Sequence, residues 1–149
     1  MNPMFDVFVA PLHCPACGTD IRNAEIQTYI RGASADGSGL SVGFELDAVD
    51  LTTESILGDG YMLIQEPNVG GPIRLLDVWS CPSCRTEPWA AIEIVDRRVR
   101  EIVAVTLDRR TLVASHFISE TNADLLADSL RSELDGGLDT VAVLKRRLP

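Results

Sequence analysis

Runs in which apolar and polar residues alternate extend along the chain from its N-terminal region to residue 119. Successive side chains of a β-strand point to opposite faces, so this pattern predicts half-buried strands. In chain order the predicted strands are FDVFV, AEIQTYIR, LSVGFEL, YMLIQ, IRLLDVWS, WAAIEIV, VREIVAVTL and TLVASHFIS. The pattern therefore predicts a mainly β (α+β) fold built on antiparallel strands.

Three of these runs also predict which face of the strand is buried. The predicted inward faces hold Phe5, Val7 and Val9 in the first run, Ala24, Ile26, Thr28 and Ile30 in the second, and Leu40, Val42, Phe44 and Leu46 in the third.

The last three runs are joined by two DRR sequences, at residues 96–98 and 108–110. Short polar joints favour strands that are antiparallel neighbours, so we expect a three-stranded meander. Neither joint contains glycine, which favours turns with type I geometry.

A helical pattern replaces the alternation near the C-terminus. Leucines and an alanine recur at helical spacing, at Ala123, Leu126, Leu130 and Leu134. The spacing predicts an amphipathic helix over about residues 121–135, ended by Gly136 and Gly137. Earlier in the chain, Thr52 or Thr53 can cap a single helical turn. The length of 149 residues predicts one domain, residues 1–149.

The charge and hydropathy narrow the functional classes. A net charge of −9 disfavours nucleic-acid binding, because like charges repel. No apolar run is long enough for a membrane span, and the N-terminus does not match a secretory signal, so we expect a cytoplasmic protein without a membrane partner. Arginines cluster at Arg97, Arg98, Arg100, Arg109 and Arg110. Such clusters favour solvated turns over a partner contact.

All four cysteines lie in two similar motifs, CPAC at residues 14–17 and CPSC at residues 81–84. Two cysteines separated by two residues can direct both sulfurs at one ion, and two such pairs complete a tetrahedral shell. The predicted ligands are Cys14, Cys17, Cys81 and Cys84. Gly18 follows the first motif, at a position that often requires positive φ, whereas Arg85 follows the second. The second loop is therefore expected to be the less regular one.

Other uses of the cysteines are less consistent with the sequence. Disulfides within each motif would close very small loops, in a chain predicted to be cytoplasmic. A redox dithiol requires its motif at the start of a helix, whereas a strand pattern follows CPAC. Zinc is favoured over iron, because the chain is much longer than rubredoxin-type iron proteins and only 5% aromatic.

The two motifs resemble those of bacterial zinc-ribbon proteins, in particular the CpXC-type domains, which carry two CPxC motifs. The resemblance covers CPACG, the strand pattern AEIQTYI that follows it, and the second motif. It implies a zinc-ribbon-like domain in which four cysteines bind the metal, and it implies no reaction.

The function predicted from these observations is a zinc-stabilised binding or accessory module with a protein partner or a homo-oligomer. A closed shell of four cysteines disfavours catalysis at the metal, so we lean against an enzyme. Trp79 and Trp89 lie on either side of the second motif and are expected to pack around the site, with a partner contact as the alternative. His13 and His116 are expected to be structural. The alternative functions are a rubredoxin-like or dithiol redox protein and a nucleic-acid-binding zinc ribbon.

Overall fold

The computed structural model describes residues 6–28, 30, 39–46, 51–106 and 109–119. This part of the chain is mainly β, as predicted. The elements are β1 (Asp6–His13), β2 (Asp20–Thr28), α1 (Thr53–Gly58), β3 (Tyr61–Leu63), β4 (Ile73–Val78), β5 (Trp89–Val95), β6 (Arg98–Val105), α2 (Arg109–Val113) and β7 (Phe117–Ser119). The predicted C-terminal helix at 121–135 lies outside the described residues. Neither α1 nor α2, the helices of the described ranges, is long and apolar enough to cross a membrane.

The strands form two sheets. An antiparallel hairpin contains β1 and β2, and a five-stranded sheet has the order β3-β7-β4-β5-β6. All neighbours are antiparallel except β4 and β7, which are parallel. Fully buried side chains from both sheets meet in the main core, including Phe8, Ile26, Leu75, Ile92 and Phe117.

The alternation in β2 identifies the buried face correctly, whereas that in β1 does not. Ala24, Ile26 and Thr28 of β2 are buried, as predicted. In β1 the buried residues are Phe8, Ala10 and Leu12, and the predicted Val7 and Val9 are only half-buried. Three successive apolar residues at 7–9 leave both faces apolar, so the core-facing residues further along the strand decide its orientation.

The LSVGFEL run is a turn and not a regular strand. Gly43 has a φ of 95°, and the N–H of Phe44 donates to the Ser41 carbonyl over 3.0 Å. This reversal leaves Val42 and Phe44 about half exposed, at 53% and 52%. The segment pairs locally with β6, where the N–H of Gly43 donates to the Val99 carbonyl over 2.7 Å. Glycine in the left-handed region breaks the alternation that its neighbours suggest.

The turn between β5 and β6 has positive φ at both central residues, 50° at Asp96 and 66° at Arg97. This is type I′ geometry, so the predicted type I turn is wrong. A two-residue turn of this type matches the right-handed twist of the flanking strands, and that match outweighs the absence of glycine. The Arg97 carbonyl accepts a hydrogen bond from Leu46 N–H over 2.7 Å, which joins the turn to the 41–46 segment.

The predicted third strand of the meander is also wrong. The TLVASHFIS run contains the end of α2 followed by β7, and β7 lies between β3 and β4 instead of beside β6. Because β6 and β7 both run parallel to β4, the chain must cross the sheet between them. His116 supports this insertion. Its N–H donates to the Arg74 carbonyl over 2.9 Å, and its Nδ1 accepts from Arg74 N–H over 3.0 Å.

A buried chain of polar groups connects the hairpin to the larger sheet. Thr28 of β2 lies 2.9 Å from the Tyr61 hydroxyl of β3, and that hydroxyl donates to Asp77 Oδ2 of β4 over 2.7 Å. Burial raises the pKa of Asp77 to about 7, and the hydrogen bond from Tyr61 partly opposes this rise. All three side chains lie in the core. The two sheets are therefore joined by hydrogen bonds as well as by apolar packing.

Candidate metal centre

The two cysteine motifs lie in the connections of two antiparallel strand pairs. The first cysteine loop, residues 14–19, joins β1 to β2, and the second cysteine loop, residues 81–86, lies between β4 and β5. These connections bring all four sulfur atoms within 4.8 Å of one another. Two sulfur–sulfur contacts join different loops, with 3.7 Å from Cys14 Sγ to Cys84 Sγ and 3.8 Å from Cys17 Sγ to Cys81 Sγ.

These distances fit a tetrahedral metal site. Four sulfurs at about 2.3 Å from a central ion lie about 3.8 Å from one another. Cys14 and Cys81, the first cysteine of each loop, are buried, whereas Cys17 is exposed and Cys84 is intermediate. The four predicted ligands therefore form one cluster that can bind a metal ion, with an inner side in the core and an outer side near solvent.

The two loops have the same backbone hydrogen bonds. Gly18 N–H donates to the Cys14 carbonyl over 2.9 Å, and Arg85 N–H donates to the Cys81 carbonyl over 2.8 Å. Each loop is closed by a second bond, from Cys14 N–H to the Thr19 carbonyl over 3.0 Å and from Cys81 N–H to the Thr86 carbonyl over 2.9 Å. The two halves of the site are thus nearly equivalent.

The expectation that the second loop is the less regular one is wrong. Gly18 has a φ of 74°, and Arg85 adopts nearly the same angle, 62°. The closing hydrogen bonds require this left-handed conformation in both loops. Arginine adopts it at a cost of about 1–2 kcal/mol relative to its ordinary backbone conformations.

Replacing Arg85 with glycine is therefore expected to raise the free energy of unfolding by about 1 kcal/mol. The Arg85 side chain is exposed, so its removal sacrifices little packing. The matched variant is Gly18→Ala, at the equivalent position of the first cysteine loop. A Cβ at Gly18 meets no atom within 4 Å, so only its positive φ penalises alanine, and we expect a loss of about 1 kcal/mol. Urea denaturation of both variants measures these changes, and destabilisation by Arg85→Gly would contradict this account of Arg85.

Two threonines that sequence reasoning missed also contact the sulfurs. The Thr19 hydroxyl lies 3.3 Å from Cys17 Sγ, and the Thr86 hydroxyl lies 2.9 Å from Cys84 Sγ. Thr19 also lies 3.4 Å from the Ser83 hydroxyl, which links the two loops. The sequence does contain a pattern that could have identified these threonines, because each motif is followed two residues later by threonine, in CPACGT and CPSCRT.

Hydrogen bonds from the loops favour ionised sulfur at the first motif. The backbone N–H of Cys17 is the main cause that lowers the pKa of the Cys14 thiol to about 6, against the effect of burial. The hydroxyl and N–H of Thr19 lower the pKa of Cys17. Such donors stabilise the thiolate, which is the form that binds metal ions.

The second motif shows the opposite net shift at its buried cysteine. The backbone N–H of Cys84 lowers the pKa of Cys81, but burial and the hydrogen bonds with the Cys14 and Cys84 thiols together raise it to about 11. Crowded sulfurs cannot all ionise without a counter-charge, so they share the remaining protons. A divalent cation supplies that counter-charge, and the donor set therefore suits a metal ion.

The two tryptophans beside the second loop lie in different apolar clusters. Trp79 is 1% exposed and belongs to the main core together with Cys14 and Cys81. Trp89 is 9% exposed and belongs to a second cluster that also contains Leu76 and Ile118. The burial of Trp79 favours packing near the metal site over contact with a partner.

Two of the clustered arginines, Arg97 and Arg98, make side-chain hydrogen bonds within the chain. Arg97 donates from its guanidinium to the Leu46 carbonyl over 3.3 Å, and Arg98 donates to the Gly43 carbonyl over 3.1 Å. Arg110 of α2 is exposed, and the backbone of Arg109 begins the same helix. A partner contact through these arginines stays a prediction. His13 pairs with Asp20 on the surface, with 2.7 Å between Nδ1 and Oδ1.

No family model, curated protein or solved structure matches this sequence. The resemblance to zinc-ribbon proteins therefore rests on the two CPxC motifs and on the convergence of their sulfur atoms.

Proposed function

We propose that this protein is a zinc-stabilised binding module in which the metal holds two hairpin connections together and takes part in no reaction. The observation that carries the proposal is the cluster of four sulfurs, two from each loop, within 4.8 Å. Four protein ligands leave no open position for water or substrate, which is typical of structural zinc sites. The zinc-ribbon resemblance supports the same ligand set.

The choice of zinc rests on the chemistry of the ligands and on the setting of the site. Tetrahedral thiolate sites take zinc or iron. Rubredoxin-type iron sites occur in much smaller domains rich in aromatic residues, whereas only 5% of this chain is aromatic. Zinc undergoes no redox change, which agrees with a structural role.

A protein partner or a second copy of the chain is the binding role that we favour. Support comes from the turn at residues 41–44, where Val42 and Phe44 are 53% and 52% exposed. Hydrogen bonds to β6 hold this turn in place, so the two apolar side chains are presented on a fixed backbone. Aromatic side chains such as that of Phe44 are enriched in the cores of protein interfaces. The net charge of −9 disfavours nucleic acid as the partner.

Metal analysis of the purified protein tests the central part of this proposal. We expect one zinc per chain, a colourless protein and no reversible one-electron couple by voltammetry. A red protein that contains iron and shows such a couple would support the rubredoxin-like alternative instead. A metal-free protein whose thiols cycle between dithiol and disulfide would support the dithiol alternative.

A further inference from the structure

The face of the five-stranded sheet opposite the main core is apolar, with five buried residues and four partly buried ones packed against them. We call it the outer face, and its residues are Met62, Ile64, Leu76, Val78, Trp89, Ala91, Val103, Val105 and Ile118. Leu76 and Ile118 have no exposed surface, and Ile64 and Ala91 are each 2% exposed. These residues alternate along the strands with main-core residues such as Leu75 and Phe117.

The described members of the outer face cannot bury one another. All of them come from strands of this sheet, apart from Ile64, which directly follows β3. Side chains on one face of a sheet stand side by side, so their ends are shielded only by a second layer about 10 Å away. The β1–β2 hairpin is not that layer, because its buried residues pack in the main core on the opposite face. The outer face therefore requires another cover.

Helix α2 is too short to be this cover. Its five residues span about 7.5 Å, whereas five strands spaced by about 4.8 Å span roughly 19 Å. Val113 is 46% exposed, and Arg110 is also exposed. At least part of the covering layer must come from elsewhere in the chain or from another molecule.

We propose that residues 121–135 of this same chain form an amphipathic helix that packs on the outer face. A helix of this length spans about 22 Å, enough to cross all five strands. Its apolar stripe is formed by Ala123, Leu126, Leu130 and Leu134. These side chains are suited to pack against the apolar residues of the outer face. On a helical wheel, the acidic residues Asp124 and Asp128 fall outside this stripe.

The connection between sheet and helix supports this occupant. Ile118 belongs to the outer face, and the chain leaves the described region at Ser119, the next residue. The helix can therefore begin close to the surface that it covers. The undescribed segments other than 120–149 are each eight residues or shorter, and the longest of them, residues 31–38, is the polar sequence RGASADGS. The proposal does not depend on the metal site.

Substitutions in the full-length chain test the proposal, because the two tryptophans lie on opposite faces of the sheet. In a Trp79→Phe background, fluorescence reports Trp89 on the outer face. We expect Leu130→Lys to raise the acrylamide quenching constant of Trp89 at least twofold and to lower the melting temperature. The matched control is Ser132→Lys, which adds the same charge on the opposite side of the predicted helix and is expected to change neither quantity. Unchanged quenching in Leu130→Lys would overturn the proposal.

A crosslinking measurement covers the case in which Leu130→Lys does not fold. A photoreactive benzoyl-phenylalanine at position 130 preserves apolar character, and mass spectrometry identifies the residues that it labels. We expect intramolecular crosslinks to outer-face peptides that contain Met62, Val78 or Val103. Crosslinks only to the β1–β2 hairpin, or only between chains in a mixture of isotope-labelled and unlabelled protein, would overturn the proposal. The second of these outcomes would identify another copy of the chain as the cover.

Discussion

Replacing Cys14 with serine is expected to abolish metal binding and to lower the free energy of unfolding by about 4 kcal/mol. The estimate treats the metal as a crosslink that closes the stretch of chain between Cys17 and Cys81. Cys14 is the most informative position because its sulfur is buried and lies 3.7 Å from Cys84 Sγ. Zinc content by mass spectrometry and urea denaturation measure the two effects.

Two controls separate metal loss from general damage to the loop. Ser80→Ala changes an exposed residue directly before Cys81 and is expected to keep both zinc and stability. Wild-type protein treated with a chelator is expected to lose as much stability as Cys14→Ser, and the chelator should have no further effect on that variant. Retention of full zinc content and stability by Cys14→Ser would refute the structural metal site.

Replacing Asp77 with asparagine is expected to remove a large pH dependence of stability. The folded-state pKa of Asp77 is raised from 3.8 to about 7, so the folded protein binds this proton more tightly than the unfolded chain does. The contribution is fully present below pH 3.8 and is lost as the pH rises through about 7. A shift of about three units corresponds to about 4 kcal/mol. Asparagine cannot ionise, yet it can still accept the hydrogen bond from Tyr61.

The measurement compares urea denaturation of wild type and Asp77→Asn at a series of pH values. Acid would also protonate the cysteines and release the proposed metal from both proteins, so the difference between their unfolding free energies at each pH is the informative quantity. We expect wild type to lose up to about 4 kcal/mol relative to the variant between pH 4 and pH 8. Parallel stability profiles would show that Asp77 is not buried as described.

Tyr61→Phe provides a second test of the same network. The Tyr61 hydroxyl donates to Asp77 Oδ2 over 2.7 Å and stabilises the ionised carboxylate. Its removal is expected to raise the pKa of Asp77 further, so the loss of stability should extend to higher pH than in wild type. A shift of the transition to lower pH would contradict this assignment of donor and acceptor.

The sequence correctly predicted that the four cysteines come together, because the relevant information is local. Each CPxC motif folds into a loop of six residues whose own hydrogen bonds orient its sulfurs. The similar motifs then imply similar loops. The prediction for Arg85 failed because it judged one residue by its intrinsic preference, whereas the repeated hydrogen-bond pattern imposes positive φ on any residue at that position.

The alternation predicted strands correctly at β2 and at the β5–β6 hairpin, and in β2, where a single face is apolar, it also identified the buried face. Prediction failed where local alternation did not determine the partner. In TLVASHFIS, the insertion of β7 between β3 and β4 depends on contacts of His116 with Arg74, a residue far away in the sequence. At residues 40–46, one glycine with positive φ outweighs the alternation of its neighbours. The alternation of apolar and polar residues along the chain does not reveal such long-range contacts or backbone conformations.

The near equivalence of the two cysteine loops has a consequence for the order of folding. Each loop is closed by hydrogen bonds within six residues, so each can form on the microsecond timescale of a single hairpin. The slow event is the meeting of two preformed halves that are separated by more than sixty residues. A metal ion bound by the two sulfurs of one loop gains its other two ligands only when the second loop arrives. The rate at which all four sulfurs bind the ion would therefore report when the hairpin and the larger sheet come together.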